Sequence, residues 1–381
     1  INMATKSNKI RDNLTYEDFK NIKQLIIDNF NDLKDGKEVI EYPDDAVEIS
    51  EINANEAIEK IHQISNSIIK SIEKYGESHF NVPIRSSSNI IYDEINDLLL
   101  LGRKTSKKKL LSLSSAEDAT RLMRVMELIY ELLQKRMHAT KREIFYGDVN
   151  LFKEQKNSDK SIEDCASLLY APRDCTNVVA SSRGTAIGRL RIRDGNNIID
   201  LSKLGTGGWG ISPMIDEIDI VESDAEFILV VEKDAAMLRL AEARYWKDFP
   251  CIILTAKGAP NVAARRFLRK INKELRLPTL CLVDADPYGH YIYSVYIRGS
   301  KRLSYESKFL ATSDMKLLGV LSKDMDEYNI PENCRIPMTK QDKKRLNEMI
   351  SEEYVQSNKK WLEDLKLMKK IGMKAEIQAL S

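Results

Sequence analysis

The sequence predicts a multi-domain α/β protein: a helical module closed by a β-hairpin, followed by a mainly parallel sheet crossed by helices. Three observations carry this reading. The 381 residues exceed what one comfortable core organises. Between Ser115 and Arg193 the pattern runs helix, helix, helix, hairpin. From Phe227 to Tyr293 it runs strand, helix, strand, helix, strand, the layout of α/β crossovers.

The head of the chain is polar and acidic, with 8 Lys and Arg against 14 Asp and Glu over residues 1–60. Apolar positions recur at helical spacing in Tyr16–Leu33 and Ala54–Ile72, which predicts peripheral helices without chemistry of their own. Residues 101–146 reverse the balance, with 11 basic residues against 5 acidic, so the middle of the chain is the part that faces a polyanion. From Phe80 the text reads as an extended arm and a strand pair, FNVPIRSSSNIIYDEINDLLLLG, followed by the basic run RKTSKKK. That run reads equally as a phosphate-binding patch or a solvated loop.

Ser115–Met137 is an amphipathic helix with Leu122, Val125, Met126, Ile129, Leu132 and Leu133 on one face. Thr140 caps the next helix, and Glu143 completes a capping box. That helix holds KREIFYGDVNLF. A third follows in SDKSIEDCASLL, and Asn177–Arg193 reads as a hairpin turning at Ser-Arg-Gly. This order is that of a winged helix-turn-helix, which docks a helix in a DNA groove. Tyr146 is its candidate nucleophile, and Arg142 lies one turn behind it with a planar fork suited to a phosphate oxygen. A phenol titrates near 10, so attack at neutral pH needs proton removal or nearby positive charge. From spacing alone, a Tyr that anchors its helix to the core is the better reading, because aromatic pairs on helices are usually packing.

Gly205–Gly210 formally matches GxGxxG, but Pro213 follows and no helix opens there, so the segment reads as an interdomain hinge. No GxxxxGK[ST] occurs, so the chain has no P-loop. FILVV, CIILT and TLCLV are short, β-branched-rich strands, with helices predicted over Ala235–Asp248 and Asn261–Arg276 between them. Such sheets place their chemistry at the carboxyl ends of strands. Glu232 follows the first, and Asp284 and Asp286 follow the third. Hard oxygen donors converging there suit Mg²⁺, which takes one or two carboxylates and keeps its waters for a substrate phosphate. The bland alternative is that acids gather at any exposed strand end. His290 beside this site reads as a packing or solvent-facing residue, and the basic face of the second helix (Arg265, Arg266, Arg269, Lys270, Lys273) as a solvated face or a DNA contact. Lys340–Lys370 reads as helical surface cover.

Charged residues make up 31% and hydrophobic residues 43% of the chain, as in ordinary globular proteins. No run of eighteen apolar residues and no signal peptide points to a membrane or to secretion. The five cysteines lack CxxC spacing and read as reduced thiols. The opening Ile-Asn-Met reads as a fragment.

The Glu after one strand and the D-x-D after another resemble the Toprim domain of topoisomerases, primases and some nucleases. The longer strings VVEKDA, TAKG, RRFLRKIN-ELRLP and VDADPYGHYIYSVY resemble, more narrowly, the A subunit of topoisomerase VI and its meiotic break-forming relative. The likeness runs from about Val82 to the end. Together with the readings above it gives an acidic helical extension over 1–76, a winged-helix (CAP-like) domain over 77–204, a linker over 205–222, and a Toprim domain with C-terminal helices over 223–381. It also reverses the reading of Tyr146, since R-[DE]-[IL]-[FY]-Y looks like the family's catalytic motif with its second aromatic as nucleophile. Tyr146 and Arg142 are then catalytic, and Glu232, Asp284 and Asp286 hold Mg²⁺. The expected partners are double-stranded DNA, a second copy of the chain, and two copies of a GHKL-type ATPase B subunit. FPCIILTAKG and NIPENCRIPMT look closer to the plant-type eukaryotic A subunit than to archaeal ones, which points to a nucleus. The family usually continues beyond AEIQALS. A meiotic break-forming transesterase, a Toprim nuclease or primase-like enzyme, and a non-catalytic winged-helix DNA-binding protein remain alternatives.

Overall fold

The structure is a computed structural model that describes residues 42–380. The helix expected over Tyr16–Leu33 lies outside the described residues. Helix α1 (Ala54–Tyr75) opens on a capping box formed by Asn53 and Glu56 and stops at Gly76, whose φ of 65° a glycine adopts without strain. The arm strand β1 (His79–Pro83) leads to the hairpin of β2 (Ile90–Asp93) and β3 (Leu98–Leu101). The basic run that follows is a strand, β4 (Thr105–Lys109), paired antiparallel to β1. It is therefore an ordered strand rather than a free loop, with Arg103, Lys104 and Lys107 exposed. Lys108 is bound by Asp164, and Lys104 Nζ donates to the carbonyl of Ser88 at 3.0 Å.

Helix α2 (Ala116–Lys135) buries Leu122, Val125, Met126, Ile129 and Leu133, as its spacing predicts. The next expected helix is divided. Helix α3 (Lys141–Tyr146) ends at Gly147, and Asp148 caps a separate turn, Val149–Phe152, by accepting from the Leu151 amide at 3.1 Å. Helix α4 (Gln155–Leu168) packs on both α2 and α3 and completes the first core, around Leu122, Phe152 and Ile162.

The expected wing hairpin does not form. Its first half, β6 (Val178–Val179), pairs in parallel with β5 (Ala139–Thr140). Its second half, β7 (Thr185–Gly188), enters the large sheet antiparallel to a strand far along the chain. A hairpin does exist just beyond, between β8 (Arg191–Asp194) and β9 (Asn197–Asp200), with β11 (Ile218–Glu222) on its outer side. The hinge reading of 205–210 fails as well. Strand β10 (Trp209–Gly210) pairs with β7, and the Trp209 indole is buried against Phe267 with ring centroids 5.2 Å apart. Residues 185–222 thus pack with the second half of the chain: Ala186, Leu190, Ile211 and Ile218 share one core with Ile228 and Leu254.

That half is built on a six-stranded sheet in the order β10, β7, β13 (Cys251–Thr255), β12 (Phe227–Val231), β14 (Thr279–Leu282), β15 (Lys316–Gly319). The last four strands are mutually parallel, β7 runs antiparallel to β13, and β10 runs antiparallel to β7. Side chains alternate between faces as the pleat requires. Ile228 and Val230 point into the core with α6 (Val262–Leu275), while Phe227, Leu229 and Val231 pack with α5 (Asp234–Glu242). Asn261 caps α6 by accepting from the Ala264 amide at 2.9 Å. Part of the cationic face expected on α6 is committed internally: Arg265 is 1% exposed, and Arg266 pairs with Asp174, Asp216 and Glu51, while Lys273 is exposed.

Helix α7 (Pro287–Arg298) follows β14. The C-terminal helices α8 (Lys340–Ile350) and α9 (Lys359–Ile371) are more than surface cover, because Leu346, Met349, Trp361, Leu365 and Met368 lie in the main core. The final strand β17 (Met373–Ala375) pairs with β16 (Arg335–Pro337) and bridges back to Ala285. The five cysteines are free thiols. No helix among the described residues is long and apolar enough to cross a membrane.

Candidate active site

Helix α3 is only six residues long, shorter than a helix that holds in water alone. Its order comes from its ends and one face. Thr140 accepts from the Glu143 amide and Glu143 reaches back to the Thr140 amide, while Ile144 is buried and Phe145 packs on the first core. Tyr146 does not anchor the helix. It is 60% exposed, its ring tilted against Phe145 at 5.4 Å. The exposed Arg142 guanidinium lies over that ring, 5.9 Å from its centroid. The hydrogen bonds and ion pairs found for α3 side chains reach Thr140, Asp159 and Glu163, and none reaches the acids of the sheet.

Those acids stand at the carboxyl ends of neighbouring parallel strands. Glu232 accepts from the Asp284 amide at 3.0 Å, which ties the end of β12 to the end of β14. Asp284 is 5% exposed; its Oδ1 accepts from the Ile377 amide at 2.9 Å and its Oδ2 lies 2.8 Å from Lys233 Nζ. Asp286 caps α7, accepting from the Gly289 amide at 2.7 Å. Gly289 is required there, because a Cβ would come within 2.4 Å of the Asp284 carbonyl. Burial pushes the Glu232 carboxyl up to about 7, and the charge of Asp284 adds to this. Burial also raises Asp286, against the Gly289 amide, with Asp284 adding to the rise.

Among the described residues no three His, Cys, Asp or Glu side chains are gathered closely enough to form a ready-made metal cage. A hard divalent cation does not need one, since it binds through one or two carboxylates and retains water. Glu232 and Asp284 supply two hard donors whose buried negative charge calls for a cation, and the Lys233 ammonium already stands in for one. The residues present therefore fit a divalent metal, with Asp286 behind them as a helix cap.

Sequence reasoning missed Lys233, Glu376 and Ile377. Lys233 stands inside the EKD string, but Glu376 and Ile377 reach the site only through the tail's return to Ala285, which no local pattern signals. His290 is fully buried and accepts at Nδ1 from the Trp361 indole N–H at 2.9 Å, so it packs rather than ligates. A cleft of about 820 Å³ opens between the two halves, lined by Lys141, Arg173, Asn261 and Arg302 among others. Neither Tyr146 nor the three acids line it. Tyr146 and Arg142 sit on open surface, whereas Asp284 is buried and Glu232 and Asp286 are half-buried at the strand ends.

The family described as the Toprim domain of the topoisomerase 6 A subunit or Spo11 matches residues 227–381, and the family described as type IIB DNA topoisomerase matches residues 117–178. The A subunit of DNA topoisomerase 6 from Arabidopsis thaliana is 47% identical over 84% of this chain and 75% of its own length. The A subunit of type 2 DNA topoisomerase 6 from Saccharolobus shibatae is 36% identical over 83% and 87%, respectively. Meiotic recombination protein SPO11-1 of Arabidopsis thaliana is 34% identical over 85% and 90%. A Toprim domain is a divalent-metal-binding fold, and the plant-type likeness expected from the sequence stands in these identities. The chain belongs to the topoisomerase VI A-subunit family of type IIB DNA topoisomerases, a family that also holds Spo11.

Proposed function

We propose that this chain is the DNA-cleaving subunit of a type IIB topoisomerase, with Tyr146 as its nucleophile. The observation that carries the reading is the presentation of Tyr146: exposed at the end of a capped helix, under a guanidinium, while its neighbours Ile144 and Phe145 face the core. A structural tyrosine would be placed the other way round.

In the proposed reaction the Tyr146 oxygen attacks a DNA phosphorus and loses its proton. The bond to the 3′ oxygen breaks, that oxygen takes up a proton, and the 5′ phosphate stays linked to Tyr146. Arg142 holds a phosphate oxygen and favours the phenolate. Glu232 and Asp284, with Asp286 adjacent, would hold Mg²⁺. When bound, Mg²⁺ supplies positive charge for the phosphorane and the leaving oxygen. In this reading Tyr146 works with the acids of a second copy, as the family resemblance implies; among the described residues no hydrogen bond or ion pair is found between α3 and the acids of its own protomer. A homodimer then cuts both strands, and reversal of the attack reseals them. Membership in the A-subunit family supports a separate B subunit, and on this reading GHKL-type B subunits, two per dimer, drive the cycle with ATP. The 47% identity to the topoisomerase subunit of Arabidopsis thaliana, against 34% to the meiotic protein of the same plant, favours resealing over lasting breaks, and the plant-type likeness favours a nuclear setting.

The test is capture of a protein–DNA adduct on denaturing gels, with Mg²⁺ and the B subunit present. The parent should give an adduct on 5′ ends. Tyr146→Phe removes one oxygen, so it should bind DNA as before and give none. An undiminished adduct from Tyr146→Phe would sink the assignment.

A further inference from the structure

Lys233 is the residue after the metal-site glutamate, and its ammonium sits between two carboxylates. It lies 2.8 Å from Asp284 Oδ2 on one side and 3.0 Å from Glu376 Oε2 on the other. Asp284 is nearly fully buried, whereas the Glu376 side chain is 54% exposed. Glu376 belongs to the tail that returns to the site after β17. There Ala375 exchanges backbone hydrogen bonds with Ala285, and the Ile377 amide takes the other Asp284 oxygen at 2.9 Å. Three consecutive tail residues thus engage the D-x-D segment and its lysine. The lysine has two carboxylates to choose between, one inside the site and one at its rim.

We propose that Lys233 is a placeholder cation for the metal site and that Glu376 is the acceptor that takes its ammonium when a divalent ion claims Asp284. The inference rests on the metal reading above and deepens it. A buried carboxylate beside a second acid is costly without a counter-charge, and Lys233 provides one while no ion is bound. An incoming divalent ion offers Asp284 twice the charge, but it must displace the ammonium. Without Glu376 the displaced ammonium would be left beside the ion and repel it. With Glu376 it swings outward by a short rotation of a flexible stem and remains paired. Lys233 and Glu376 are positioning residues on this account, since neither touches DNA or the reacting atoms in the proposed chemistry.

The test measures Mn²⁺ binding to the full chain by electron paramagnetic resonance, with the metal alone and no DNA. Lys233→Met should bind about tenfold tighter than the parent, because no ammonium has to leave, and should melt lower in chelator. Glu376→Gln should bind about threefold to tenfold weaker while melting like the parent in chelator. The double variant separates a swing from plain electrostatics. In the Lys233→Met background, Glu376→Gln should no longer weaken binding, whereas two independent charge effects would add. Additivity in that cycle, or unchanged affinity in Lys233→Met, overturns the proposal while leaving the metal site intact. Asp284→Asn is the control for the underlying reading. If Asp284→Asn binds Mn²⁺ like the parent, the metal site itself is misassigned and the placeholder falls with it.

Discussion

At the scale of single residues, Glu232 is the most sensitive group in the site. Its carboxyl titrates near 7 in the folded protein without metal, against an ordinary value of 4.5. A raised folded value means that the protonated form is the favoured one. Its contribution to stability is therefore full below about pH 4.5 and is lost as pH rises through about 7, a change of about 3 kcal/mol. Melts in chelator should fall over that window, and Glu232→Gln should flatten the fall. A metal ion must displace the proton, so divalent-ion affinity should drop about tenfold per unit as pH decreases below 7. An affinity independent of pH between about 5 and 8 would contradict the burial of this carboxyl. Glu232, Asp284 and Asp286 can be read as a group because strand ends and a two-residue spacing are local patterns. Lys233's partner cannot, because a tail residue close in space is distant in sequence.

At the scale of elements, what is legible follows the same division. The three parallel strands and α2 appear where period and β-branched runs place them, since each is decided by residues within one turn or one pleat. The wing hairpin is misread because Thr185–Gly188 has the look of a strand but carries no mark of its partner. Pairing with Cys251–Thr255 is favoured by the large core it closes, not by the nearby turn. The basic run is misread for the same reason, since pairing with β1 is what makes Thr105–Lys109 a strand. Helix α3 shows how far local chemistry can reach. With only six residues, it depends heavily on the Thr140 cap. Thr140→Ala should cost about 1 kcal/mol of stability. It should also raise hydrogen exchange at Ile144 and Tyr146 and lower adduct yield, with DNA affinity little changed. Exchange rates equal to the parent's would show that packing alone holds the helix.

At the scale of the whole molecule, Glu163 is the residue to watch. It is 1% exposed, and its carboxylate meets Arg85 of the arm at 2.6 Å, Lys141 of α3 at 3.0 Å and Arg302 beyond α7 at 2.8 Å. Burial alone would raise its titration, but the charges of Lys141, Arg302 and Arg85 outweigh it and hold the carboxyl below the usual range. The stability from these pairs is present above the ordinary carboxylate value and is lost as pH falls through the lowered one. Glu163→Gln removes the buried charge that three cations share, leaving Arg85 with Asp164 and Lys141 with Asp159. It should destabilise the protein by about 3 kcal/mol, read as a lower urea midpoint at neutral pH. A midpoint equal to the parent's would mean that water already screens the cluster.

Glu163 has a mechanical corollary. One carboxylate joins the arm, the tyrosine helix and the sheet half, and further straps run from Arg298 to Asp97 and from Arg266 to Asp174. These pairs fasten the two halves of a protomer to each other, as a single jaw requires. If a cut duplex is to be parted wide enough for another to pass, the parting line cannot run through a protomer. In the proposed homodimer it would run between copies, and each broken end would then travel with the jaw whose tyrosine holds it.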